Sequence, residues 1–190
     1  MKYLTDKKKI ERLERNLVDI VEDSIHLKIN YVKKKNWVTV PIGTDFFYDE
    51  NYIRRLPRVM KQIGVKSCFA IATEPLLPES NYFEFETTKK GLSAFHWECG
   101  LFRFALFPED LSFFILWTVD DYFLIAGERE FVESAIGSSV ETAFEKFKEW
   151  AIGWPTEVNG IRLGVREFLL GIYARYKAVN DEILKNNEEG

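Results

Sequence analysis

The stretch from Leu101 to Gly127, LFRFALFPEDLSFFILWTVDDYFLIAG, constrains the fold more than any other part of the chain. Three short apolar runs are separated by two acidic turn signals, Pro108-Glu109-Asp110 and Asp120-Asp121. The runs are rich in Phe, Ile, Leu, Trp and Tyr, side chains that suit a pleated, buried surface. Spacers this short can join only antiparallel neighbours, because a parallel crossover needs a dozen or more residues. The stretch therefore predicts a three-stranded meander inside one core.

The remaining segments arrange themselves around that meander. Residues 5–27 predict a helix, with Ile10, Leu13, Leu17, Ile20 and Val21 at three- and four-residue steps and Thr5 or Asp6 as its cap. Residues 28–32 and 37–42 read as a hairpin around Lys33-Lys34-Lys35-Asn36, with Pro41 marking a sheet edge or a strand end. A helix follows near 50–63. Its regular part is expected to begin near Leu56, because Pro57 suits a first turn. Val65 to Thr73 reads as an internal strand and Glu74 to Asn81 as a loop holding Leu76-Leu77. Tyr82 to Thr88 alternates, with Phe83 and Phe85 on one side and Glu84 and Glu86 on the other. Lys89-Lys90-Gly91 reads as a turn and Leu92 to Glu98 as a further strand.

Beyond Gly127 the apolar period lengthens to that of a helix. Ser138 and Glu141 have capping-box spacing, and Gly153-Trp154-Pro155 stops the segment. A last helix is expected from Thr156 or Gly160 to Leu184. Strands clustered mid-chain between helices predict an α+β fold. It has a central antiparallel sheet, with a meander at about 101–127, flanked by N-terminal and C-terminal helices. At 190 residues the chain is expected to be a single domain, 1–190. It divides into an N-terminal helix (1–27), a mainly sheet region (28–127) and a helical region (128–184).

Composition narrows the function classes. The net charge is −4, which disfavours a general nucleic-acid binder. The charge is uneven: residues 1–66 hold 15 Lys/Arg and 9 Asp/Glu, whereas residues 67–190 hold 11 and 21. The N-terminal stretch has no apolar core of a signal peptide, and no apolar run reaches the ~20 residues of a membrane span. Cys68 and Cys99 lack C-x-x-C spacing and read as two reduced, buried thiols of a cytoplasmic protein.

Catalytic signatures are sparse. His96-Trp97-Glu98-Cys99 is the one place where His, Glu and Cys crowd together. Its H-x-E element matches that of zinc deaminases, but their chemistry also needs a P-C-x-x-C pair, absent here. On a strand, His96 and Glu98 would share a face as an acid–base pair, and these two are the weak catalytic candidates. No nucleophile elbow, phosphate loop, dinucleotide fingerprint or H-E-x-x-H occurs, and neither a cofactor nor a metal is expected. Glu84, Glu86 and Glu98 would give the sheet an acidic outer face. Trp150 and Trp154, beside a Gly-Pro break, are the tryptophans expected to be partly exposed.

In size, acidity and class the chain resembles small cytosolic α+β binding proteins, bacterial toxin-neutralising (immunity) proteins among them, without an alignable stretch. The leading expectation is a non-enzymatic protein-binding module with a basic partner and no membrane, with a homo-oligomer left open. Its binding residues would be Glu84, Glu86, Glu98, Trp150 and Trp154. The alternative is a small-molecule binder or hydrolase with a pocket between the meander and the C-terminal helices.

Overall fold

The computed structural model describes residues 1–43, 50–74, 81–118, 122–158 and 161–188. Its centre is a seven-stranded sheet in the order β1-β4-β3-β5-β6-β7-β2, every neighbouring pair antiparallel. The strands are β1 (Lys2–Tyr3), β2 (Val38–Gly43), β3 (Ser67–Ala72), β4 (Tyr82–Glu86), β5 (Phe104–Phe107), β6 (Phe113–Trp117) and β7 (Tyr122–Gly127). The predicted meander is β5-β6-β7, and every residue of these three strands is buried. Its first turn runs from Pro108 to Leu111, where Leu111 N–H donates to Pro108 O at 3.2 Å. Asp120-Asp121 lies outside the described residues, as do the Leu76-Leu77 loop and most of the turn after Gly43.

Strands buried on both faces need cover on both. The helices are α1 (Lys7–Ile20), α2 (Ile29–Lys35), α3 (Glu50–Gln62), α4 (Lys89–Cys99), α5 (Arg129–Ile136), α6 (Val140–Gly153) and α7 (Val165–Glu188). One face carries α1, α6 and α7: Lys9 sits over the Phe69 ring, and Tyr122 meets Phe147 and Phe168. The other carries α3, α4 and α5: Tyr52 meets Phe123, Phe95 meets Phe104, and Phe113 stacks on Phe131 at 4.5 Å. The N- and C-terminal helices thus flank the sheet on one side and the mid-chain helices on the other. A short hairpin, β8 (Glu157–Val158) with β9 (Ile161–Arg162), precedes α7.

Several local expectations are corrected. Residues 29–35 are helix α2, so the hairpin over 28–42 does not form and only its second strand does. Asn36 is left-handed (φ 53°), and Trp37 N–H reaches back to Val32 O, a Schellman-type end. Lys33, Lys34 and Lys35 then sit in the last turn, where the helix dipole favours cations. Residues 92–98 lie in helix α4 and are not a strand: Thr88 caps it by accepting from Gly91 N–H at 3.0 Å, and Leu92, Phe95 and Cys99 are its buried face. Helix α3 runs through Pro57 from Glu50, so the proline is interior and does not start the helix. Ser139, one residue after the expected cap, accepts from Thr142 N–H and starts α6. The last helix begins at Val165.

The open edge of β2 is closed by a side chain. Thr39 N–H donates to Asn180 Oδ1, and Asn180 Nδ2 donates to Thr39 O, both at 3.0 Å. Asn180 is 1% exposed. Thr39 thus turns its N–H and C=O away from β7, and Pro41, two residues on, turns the same way and has no N–H to offer. The connection from α1 to α2 is pinned to the core: Leu27 N–H donates to Tyr176 Oη at 2.9 Å and Tyr122 Oη to Ile25 O at 3.0 Å.

Candidate functional site

Helix α4 is seated on the sheet by close contact at its start and by aromatic packing along its length. A Cβ added to Gly91 would lie 2.1 Å from Glu86 O, so only glycine lets the helix approach β4 this closely. Phe95 stacks on Phe85 and meets Phe104 edge-on. Further along, the His96 ring meets Trp117 edge-on at 6.0 Å, and Trp117 Nε1 donates to Gly100 O at 3.1 Å. With its inner face committed, the helix turns Trp97 outward.

Trp97 is 87% exposed, Leu101 85% and Phe102 45%. Gly100 keeps right-handed helical dihedrals, so Leu101 follows Trp97 at the i, i+4 spacing that makes neighbours on one face. The three side chains form an apolar cap on the outer end of α4. From Gly91 to Phe102, Glu98 is the one Asp, Glu, Lys or Arg, and it is exposed beside Trp97.

This geometry separates His96 from Glu98. On a helix, residues two apart point to different sides. His96 is half-buried against Trp117, while Glu98 faces outward. Burial holds the His96 imidazole below its ordinary 6.5, so it is neutral near pH 7. Burial, then the Glu98 carboxylate, push the Cys99 thiol up to about 12, which leaves little thiolate for nucleophilic attack. Both cysteines are buried and free. Among the described residues no group of three or more His, Cys, Asp or Glu is placed to hold a metal ion.

The three predicted glutamates do not share a surface either. Glu84 and Glu86 lie on edge-side strand β4, whereas Glu98 is on a helix that covers the opposite face of the sheet. Glu84 is also already engaged, with Lys2 and Lys9 each at 3.3 Å and the Ser67 hydroxyl at 3.1 Å. Burial alone would raise its pKa, but these partners hold it below the usual 4.5. Glu86 remains exposed.

Trp150 and Trp154 are half-buried and meet edge-on at 5.8 Å. Trp150 lies flat against Gly43, where an added Cβ would come within 2.9 Å of its ring. It closes a cavity of about 150 Å³ with Ile42, Ile136 and Phe147. That cavity lies between edge strand β2 and α6, away from the meander, and is below the ~300 Å³ at which ligand pockets usually begin.

Sequence reasoning missed Trp97, Leu101 and Phe102 as a surface. The signal was present: once α4 is read as a helix, Leu92, Phe95 and Cys99 take the inner face and leave Trp97 outside. No family model, curated protein sequence or solved structure matches this chain. No described helix is long and apolar enough to cross a membrane.

Proposed function

We propose that the chain is a non-enzymatic protein-binding module that docks another protein on the apolar cap of α4. The observation that carries this reading is the exposure of Trp97 and Leu101 on one helical ridge, with Phe102 beside them. A tryptophan left in water forfeits the burial of roughly 150–250 Å². Aromatic anchors at the centre of interfaces carry much of their binding energy. The lone Glu98 carboxylate at the cap favours a partner with an apolar pocket rimmed by a Lys or Arg. An immunity-type protein that covers part of a toxin is one concrete form. The two buried, unoxidised thiols are consistent with a cytosolic setting.

The test compares the wild type with Trp97→Ala/Leu101→Ala. Both proteins are used as bait in lysate of the source organism, and each is checked for self-association by light scattering. A stoichiometric partner captured by the wild type and weakened at least tenfold by the double variant is the expected result. The folded state should hardly change, because both side chains are exposed. Equal capture by both proteins, or no capture and no self-association by either, would overturn the assignment of the cap.

A further inference from the structure

The other end of α4 borders a wide groove of about 950 Å³, walled by β1, β4, the end of α3 and the segment leading into β3. Four lysines line it, against two glutamates. Lys2 is spent on Glu84. Lys61, Lys66 and Lys90 are exposed and make no ion pair among the described residues. They come from three separate places: the last turn of α3, the approach to β3 and the first turn of α4. The Glu86 carboxylate is the single opposing charge not already engaged.

Lys90 is where a lysine is locally unfavourable. It occupies the first turn of α4, a turn without an acidic residue, and the helix dipole disfavours cations there. Positions that break a local rule are expected where function requires them. An anion in the groove would offset that penalty by pairing with the Lys90 ammonium. Val65 and Phe85 give the groove a buried floor.

We infer that this groove binds a small oligoanion, a molecule with two or more phosphate or carboxylate charges, held by Lys61, Lys66 and Lys90. The inference is independent of the protein-binding reading, since it uses the opposite end of α4 and none of the cap residues. Lysine ammoniums act as point charges, so the site selects for charge number and spacing more than for planar geometry.

Isothermal titration with tripolyphosphate and, separately, citrate at 50 mM NaCl tests it. The expected result is one-to-one binding of at least one probe with a Kd below 1 mM, weakening steeply with added salt. Tighter tripolyphosphate binding would assign the phosphate class, and tighter citrate binding the carboxylate class. Lys61→Ala/Lys66→Ala/Lys90→Ala should lose at least tenfold. Lys33→Ala/Lys34→Ala/Lys35→Ala, which removes equal charge from α2, should lose less than twofold. In the wild type, amide shifts should centre on Lys66, Ser67 and Thr88 to Gly91, a readout that does not depend on any variant folding. No binding of either probe, equal loss in the two triple variants, or shifts centred elsewhere would overturn the inference.

Discussion

Asn180 shows how much one side chain can decide. A single buried amide satisfies both the N–H and the C=O of Thr39 on the sheet's outer strand. Replacing Asn180 by Leu leaves two buried backbone groups unpaired, at about 1–3 kcal/mol each. We expect Asn180→Leu to lower the urea midpoint accordingly and to increase aggregation, because an unblocked edge recruits other strands. His96 has a different signature. Its folded pKa lies below the unfolded 6.5, so the unfolded chain binds more protons in that window. Stability is therefore complete above pH 6.5 and falls as the pH drops through the folded value. His96→Gln should flatten this part of a stability–pH curve measured by chemical denaturation. A second loss should follow at lower pH in both proteins. In Asp23, Glu84 and Glu141 burial is outweighed by hydrogen bonds and nearby cations, which hold all three carboxyls below their ordinary values.

At the scale of elements, α4 is the instructive case. Lys89-Lys90-Gly91 has turn composition, and the seven residues after it are too few for periodicity to separate strand from helix. The helix is settled by the Thr88 cap and by the contact of Gly91 with Glu86 O. Gly91→Ala, normally favourable inside a helix, should here destabilise by about 1–3 kcal/mol through overpacking; thermal unfolding would show it as a lower midpoint. The α2 segment is ambiguous in sequence for a related reason. Its apolar run is short, and the left-handed Asn36 that ends the helix is equally at home in a hairpin loop. The hydrophobic alternation of β4 and the continuous apolar runs of β5, β6 and β7 were legible, because burial on one face or on both writes itself directly into the residue order.

Across the whole molecule, helices cover both faces of the sheet, and both chain ends contribute to one face. The long edge strand β2 is closed by Asn180 and Pro41. Helix α4 stands out among the helices, with an apolar cap at one end and a lysine-lined groove at the other.

The sequence alone determined the α+β class, the antiparallel meander and the internal position of β3, and it narrowed Pro41 to a sheet edge or a strand end. Each follows from local rules: short spacers, apolar periodicity, and a proline that cannot donate to a ladder. Only the tertiary structure decided that Trp97 is exposed, that His96 and Glu98 part company, and that Glu84 is bound by Lys2 and Lys9. It also decided that Lys61, Lys66 and Lys90 meet around one groove. The physical reason is that exposure and charge pairing depend on which distant segments pack together, and residue order encodes those contacts only through the fold itself.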